Sequence, residues 1–471
     1  MASRTLLFVL LLLAASAASA ATHPNVLMIA IDDLNDWVGC MGGHPQAKTP
    51  NIDRLAARGV LFENAHAAAP LCNPSRTALL TGLRPSTTGV YCNNGWFRDH
   101  PDYVDWVTLP QYFAGQGYAA WGGGKVFHQP SGRMSDRQSW DKQYSNAVGA
   151  PNPPEQRRFQ HGMRGKFTTS AFFNNALDWG PIDQPKEQTG DWQTAETAAK
   201  LLSQEHDRPF FLACGIYRPH LPWYAPAEFF DAHDLAGVTL PPYLETDLDD
   251  VPAMGRRLAR LDFPVIKASG HWRDAVHAYL ACATFADACV GHVLDALEAG
   301  PNADDTIVVL WGDHGWHLGE KDHWSKFALW DQTSRTPLVV YAPNVSEAGG
   351  RCASAVSLID IYPTLLELTG LPPRDDLDGR SLAPLVRDPG SDWPYPALVT
   401  HWKDNHAVQD DRYRYIHYRD GGEELYDHQT DPNEWKNLAS DPAYARVKAR
   451  LAQSLPKQNA EHFQPEPPEN M

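Results

Sequence analysis

Asn25-Val26-Leu27-Met28-Ile29-Ala30-Ile31-Asp32-Asp33 is the stretch from which the fold can be read. An unbroken apolar run of this length, closed by two acids, describes a strand buried on both faces, and such strands belong to parallel sheets covered by helices. Similar runs stand at residues 209–214, 306–311 and 337–341. Helical periodicity lies between them, at 51–58, 75–81, 109–116, 194–204, 273–299 and 359–368. Strands alternating with helices predict an α/β fold: a large, mostly parallel sheet with helices on both faces. The pattern changes near the end, where Tyr413-Arg414-Tyr415-Ile416-His417-Tyr418 alternates, turns at Asp420-Gly421-Gly422 and resumes at Glu424-Leu425-Tyr426-Asp427. That is a hairpin. It predicts a smaller C-terminal α+β subdomain with an antiparallel sheet, over residues 386–471, after a main domain over 21–385. Residues 130–165, rich in Pro, Gly, Ser and Arg, are expected to form a long surface excursion beside a binding mouth.

At 471 residues the chain exceeds one small core, and with 43% hydrophobic and 21% charged residues it is globular rather than disordered. The net charge of −17 argues against nucleic acid as a partner, yet leaves room for a local cationic pocket that binds a small anion. The first residues, Met1-Ala2-Ser3-Arg4, precede an apolar run at 5–13 and the small residues Ala18-Ser19-Ala20. This has the form of a secretory signal peptide over residues 1–20, so the chain is expected to be secreted or periplasmic, with no membrane span in its mature part. Seven cysteines are an odd number. Cys282 and Cys289 lie on one helical pattern about 10 Å apart, too far to bridge each other.

Ligands of open α/β sheets bind beyond the carboxyl ends of the strands. Asp32 and Asp33 follow the first strand, and Asp313 and His314 follow the strand at 306–311. Carboxylates gathered at strand ends suit a hard divalent cation such as Ca²⁺ or Mg²⁺. Zinc is the alternative, because His314, His317 and His323 are close in sequence, but they lack the helical spacing that zinc hydrolases use. Next comes Leu71-Cys72-Asn73-Pro74-Ser75-Arg76-Thr77, with Cys72 in a loop and Pro74 suited to the first turn of the helix that follows. A nucleophile at that place gains from the helix N-terminal N–H groups, and Arg76 can neutralise a developing anion. Gly122-Gly123-Gly124-Lys125-Val126-Phe127-His128 suggests a phosphate-binding loop, but Ala119 and Val126 stand where that motif needs Gly and Ser or Thr. Lys125 and His128 can instead reach one site from a turn. Tyr217-Arg218-Pro219-His220 follows another strand, and His323-Trp324-Ser325-Lys326 follows the Asp313-His314 loop, which adds His220 and Lys326 as candidates.

Cys72-x-Pro74-x-Arg76 is the pattern C-x-P-x-R. With Asn25 to Asp33, Lys48-Thr49-Pro50-Asn51-Ile52-Asp53, Gly124 to His128, Arg218-Pro219-His220 and Gly312-Asp313-His314-Gly315-Trp316-His317-Leu318-Gly319-Glu320, it resembles the type I sulfatases of the alkaline phosphatase superfamily. Glu424 to Asp427 and Asp431-Pro432-Asn433-Glu434 are similar to the C-terminal segment of that family. Many sulfatases have Asn where His314 stands; His is what the iduronate-2-sulfatase branch shows. The resemblance implies a formylglycine made from Cys72 by a formylglycine-generating enzyme. It implies Ca²⁺ held by Asp32, Asp33, Asp313 and His314 with the converted Cys72. It also implies that Lys125 steadies the aldehyde hydrate, that Lys326 and His220 grip the sulfate, and that His128 acts as a base. The expected substrate is a sulfated polysaccharide or its oligosaccharides, with a 2-O-sulfated uronate favoured by the branch. Trp96, Trp324, His401 and Trp402 are candidates for sugar recognition. A phosphonate monoester or phosphodiester hydrolase of the same superfamily is the rival reading. A non-catalytic sugar-binding module would need neither Cys72 nor His128.

Overall fold

The structure, a computed structural model, describes residues 23–152, 161, 166, 177–258 and 262–462. Residues 1–20, expected to be a signal peptide, the Pro- and Glu-rich tail 464–471 and part of the expected 130–165 excursion lie outside the described residues.

The opening run is strand β1 (Asn25–Ile31), buried along its whole length. The other strands of the main sheet are β2 (Val60–Phe62), β3 (Ala119–Gly124), β4 (Lys142–Ser145), β5 (Phe210–Ile216), β6 (Thr306–Gly312), β7 (Leu338–Tyr341) and β8 (Gly350–Cys352). Their order is β8-β2-β7-β6-β1-β5-β3-β4. β1 runs parallel to both of its neighbours, β5 and β6. β7 is reversed, antiparallel to β6 and to β2, which corrects the reading of 337–341 as a parallel strand. A continuous apolar run reports burial on both faces and carries no information on direction.

Alternation along β1 divides the core in two. Leu27, Ile29 and Ile31 pack with helices α1 (Pro50–Arg58), α4 (Gly190–Leu202) and α5 (Trp272–Ala299). Val26, Met28 and Ala30 pack on the other face with α2 (Cys72–Thr81), α3 (Leu109–Gly115) and α6 (Ile361–Leu368). Both faces are therefore covered by helices, as expected. Among the described residues α5 is the one helix long and apolar enough to cross a membrane, and it is largely buried in the core.

Four strands of the main sheet, β2, β3, β4 and β8, were not legible; β2 and β8 have only three residues each. β3 contains Gly122-Gly123-Gly124, a composition that weakens any strand signal. The glycines are needed for packing: a Cβ on Gly122 would strike the Trp140 ring, and one on Gly123 the Tyr144 ring. Gly124 has φ +69° and a Cβ there would meet the Gly215 carbonyl of β5. β4 lies inside the stretch read as a surface excursion, paired in parallel with β3.

The expected C-terminal hairpin is part of a four-stranded antiparallel sheet, Ala397–Thr400, His406–Gln409, Tyr413–His417 and Glu423–Asp427. It is fastened near the cleft by the buried Lys321 ammonium, which donates to Asp247 Oδ1 at 2.8 Å, to the Tyr426 hydroxyl at 3.3 Å and to the Glu434 carbonyl.

Candidate active site

The carboxyl ends of β1, β3, β5 and β6 open on one edge of the sheet, and each delivers a predicted residue there. β1 ends in Asp32-Asp33, β3 in Lys125, β5 in the loop bearing His220, and β6 in Asp313-His314. Helix α2 starts at the same place. Cys72 is its first residue, not part of the preceding loop, because Pro74 in the first turn lacks only an N–H that has no helical partner anyway.

Around the Cys72 sulfur the polar groups are close. Lys326 Nζ lies 2.9 Å from Sγ, and His314 Nε2 lies 3.4 Å from it. Lys326 also donates to Asp33 Oδ1 at 2.7 Å, and His314 Nε2 stands 3.2 Å from the same oxygen. Lys125 donates to Asp32 Oδ2, and its ammonium sits 5.1 Å from the centre of the Tyr217 ring. Arg76 is fully buried and divides its donors between the two acids, with Nε to Asp313 Oδ2 at 2.7 Å and an Nη to Asp32 Oδ1 at 3.1 Å. Its other Nη donates to the carbonyls of Lys125 and Val126, which locks α2 to the end of β3. His128 lies close enough to the Cys72 side chain to influence its charge, and its Nδ1 is buried without a hydrogen-bond partner among the described residues. His220 is at the rim, with Nε2 4.0 Å from Asp33 Oδ2 and Nδ1 2.7 Å from the Leu221 carbonyl.

This arrangement favours negative charge at position 72. Burial alone would raise the Cys72 thiol, but Lys125, Lys326, His314 and His128 hold it well below its ordinary value. Burial would likewise raise Asp32, but Lys125, His220 and Arg76 together outweigh it and hold the carboxyl well below the usual carboxylate range. Burial keeps His128 below the usual histidine range, so its imidazole is neutral and ready to take a proton.

Comparison with known proteins decides what this constellation is. The sequence profile of the Sulfatase family matches residues 24–371. The chain belongs to the sulfatase family. A second profile, N-sulphoglucosamine sulphohydrolase, C-terminal, matches residues 319–461. A sulfatase of Formosa agariphila is 40% identical over 93% of this chain and 87% of its own length. The iduronate 2-sulfatase of Mus musculus is 34% identical over 76% of this chain and 71% of its own. Among solved structures, a 2-O GAG sulfatase is 25% identical and superposes with a TM-score of 0.70 over 92% of this chain and 90% of that one. The phosphonate monoester hydrolase of Agrobacterium radiobacter, 24% identical, shares the fold with a TM-score of 0.72 over 91% and 94% of the two chains. The protein is thus a sulfuric ester hydrolase with the expected alkaline-phosphatase-like fold.

Sulfatases generally use a formylglycine and a divalent metal, and the residues of this sulfatase fit such an ion. One donor atom from each of Asp32, Asp33, Cys72 and His314 lies within 4.8 Å of the others, all four buried. Asp33 Oδ2 is buried without a hydrogen-bond partner among the described residues, a costly state for a carboxylate oxygen. Asp313 is committed to Arg76 and to the Asp33 N–H, with Oδ1 3.5 Å from His314 Nε2, so it flanks the cluster.

The three histidines behind the zinc reading do not gather at Cys72, although the His317 and His323 rings meet with centroids 5.2 Å apart. His317 turns Nδ1 to the Glu320 carbonyl, His323 turns Nε2 to the Lys326 carbonyl, and His314 alone of the three faces Cys72. Of the residues named for sugar recognition, Trp96 and Trp324 are buried in the core, His401 is buried and Trp402 half-buried. Several supporting residues escaped the sequence reading. Ser75 Oγ donates to the Asp313 carbonyl at 2.5 Å. The Tyr279 hydroxyl, from the first third of α5, donates to the Asp33 carbonyl at 2.7 Å. Asp191 accepts the Tyr217 and Arg218 N–H groups at 2.9 and 3.0 Å, and the Arg218 guanidinium holds the His220 carbonyl at 2.9 Å, which fixes the His220 loop. Tyr217 was signalled by its place beside the Arg218-Pro219-His220 motif; Tyr279 reads as an ordinary core residue of a long helix.

Proposed function

We propose that this sulfatase is exported and removes the 2-O-sulfate of a uronate in a sulfated polysaccharide or its oligosaccharides. It does so with a formylglycine made from Cys72 and a Ca²⁺ ion held by Asp32, Asp33, His314 and the converted residue 72, with Asp313 beside them and bound to Arg76. The observation that carries this reading is the convergence of Lys326, His314, His128 and Lys125 on one buried cysteine at a helix N-terminus. The uronate preference rests on likeness to an iduronate 2-sulfatase and a 2-O GAG sulfatase, and export on the form of residues 1–20. Its partners are then the sulfated glycan and a formylglycine-generating enzyme. Calcium is favoured because conversion replaces the soft sulfur with oxygen, leaving oxygens and one imidazole as donors.

A sulfate ester resists attack because its own oxygens repel a nucleophile. When bound, the cation would polarise those oxygens and offset their charge. Lys125 and Lys326 add two positive charges in a water-poor setting, where they act most strongly as charge shifts in the transition state. Residue 72, as an aldehyde, hydrates to a gem-diol, and one of its hydroxyls attacks sulfur in line, giving up its proton to Asp33, whose Oδ1 lies 3.9 Å from the Cys72 sulfur. The sugar oxygen leaves with a proton from His220, whose Nδ1 is committed to the Leu221 carbonyl and whose Nε2 faces the site. His128 then removes the proton of the second hydroxyl. The C–O bond to sulfate breaks, and the aldehyde is restored.

Turnover of a 2-O-sulfated uronate disaccharide against that of a phosphonate monoester tests the reading. The sulfate ester is expected to give the larger kcat/KM; dominance of the phosphonate would transfer the chain to the rival reaction. Chelation gives a second expectation. A metal that stabilises transition-state charge contributes several kcal/mol, so exhaustive dialysis against EDTA should lower turnover by about 10³-fold. Ca²⁺ should restore it better than Mg²⁺ or Zn²⁺. Full turnover in protein shown by elemental analysis to be metal-free would contradict the calcium assignment.

A further inference from the structure

His161, His271 and Asp274 converge away from Cys72, and one donor atom from each lies within 4.8 Å of those of the other two. The two imidazoles meet edge to face, with centroids 5.0 Å apart and planes at 65°. Each ring has one nitrogen already committed. His161 Nε2 lies 3.1 Å from the Trp179 carbonyl, which can only accept, so Nε2 carries the proton and Nδ1 presents a lone pair. The same ring lies flat on the Trp179 indole, 4.0 Å away at 14°, which fixes its orientation. His271 Nδ1 donates to Asp274 Oδ2 at 2.7 Å, which leaves Nε2 as its lone-pair nitrogen. An imidazole whose far nitrogen donates to a carbonyl or carboxylate is the form in which histidine binds metals, with its tautomer set and its basicity raised.

We propose that His161, His271 and Asp274 form a second metal site, for a divalent transition metal of the zinc class. Two imidazoles with one carboxylate match the donor set of zinc and its neighbours, whereas Ca²⁺ and Mg²⁺ take mostly oxygen. All three residues are half-buried, so water can complete the coordination sphere. Burial holds the His161 imidazole below its ordinary pKa, in the neutral form that a metal requires. Two of the three residues, and the ring on which the third stacks, stand on regular secondary structure or at its start. His271 and Asp274 flank the start of α5, and Trp179 begins a short strand, Trp179–Ile182, paired with Trp223–Pro226. That pair adjoins the His220 loop, and Trp223 N donates to the Asp178 carbonyl at 2.9 Å. A metal here ties residue 161 to the flank of the catalytic cleft.

Cobalt(II) is a coloured probe for zinc sites and reads binding without reference to turnover, so the result stands whatever the substrate proves to be. The full chain, kept in excess Ca²⁺ to saturate the Cys72 site, is titrated with Co²⁺ and then with Zn²⁺. The expected result is one equivalent of Co²⁺ with a visible ligand-field band that Zn²⁺ abolishes. His271→Ala and His161→Ala should each lose the band, while His100→Ala, at a half-buried histidine beside Asp102, should keep it. Circular dichroism checks that each variant is folded. If His161→Ala misfolds, His271→Ala alone carries the test. No band in the wild-type chain, or an unchanged band in folded His271→Ala, would overturn the proposal.

Discussion

Cys72→Ala is expected to lower sulfate-ester turnover by about 10⁴-fold or more, the scale seen when a nucleophile is deleted from a catalytic unit. The loss should lie in kcat, since Lys125, Lys326 and the carboxylates that shape the cleft remain. Stability should change by only about 1 kcal/mol, because the substitution removes one buried sulfur and opens little space. Cys72→Ser separates nucleophile from aldehyde. A serine hydroxyl can attack sulfur, but its sulfate ester has no second hydroxyl to expel the sulfate, so a single turnover should leave a sulfated protein. Intact-mass measurement after mixing with substrate reads this directly. Multiple turnover by Cys72→Ala at near wild-type rate would remove residue 72 from the chemistry altogether.

Arg76→Met is expected to damage both stability and activity. The guanidinium is fully buried and binds Asp313, Asp32 and two backbone carbonyls, so it neutralises two acids that no solvent reaches. Breaking a buried ion pair by removing one partner costs about 3–5 kcal/mol, because the remaining charge stays buried without compensation. For a large chain this corresponds to a fall in melting temperature of roughly 5–10 °C. Turnover should fall to background, since Asp32 and Asp313 would no longer hold their places beside Cys72. Arg76→Lys keeps the charge but loses the fork, so it should recover part of the stability and little of the activity. A melting temperature unchanged in Arg76→Met would show that the acids do not depend on this residue.

The strands that carry the site were the easiest to see. β1 and β6 are unbroken apolar runs that end in acids, and a strand buried on both faces has no other appearance. The predicted polar residues also came together, because each stood just past a strand or at a helix start, where an α/β sheet gathers its loops. What was hidden had no local signal. β3 is half glycine, its space filled by Trp140 and Tyr144 from residues read as excursion. The reversal of β7 is a property of pairing, not of composition. Tyr279, Ser75 and Asp191 act through hydrogen bonds to backbone far away in sequence, and a single side chain gives no notice of such a partner. The histidine cluster at 314, 317 and 323 failed for the opposite reason. Closeness in sequence was visible, but the loop turns the side chains to different carbonyls.

Mass spectrometry of the tryptic peptide of residues 59–76 tests the central claim most directly. The protein should be isolated from its native host, or produced beside a formylglycine-generating enzyme. The predicted result is a peptide in which residue 72 has lost H₂S and gained one oxygen, as an aldehyde or its hydrate. An unmodified thiol at Cys72, in protein that nevertheless hydrolyses sulfate esters after exposure to a competent converting enzyme, would contradict the mechanism.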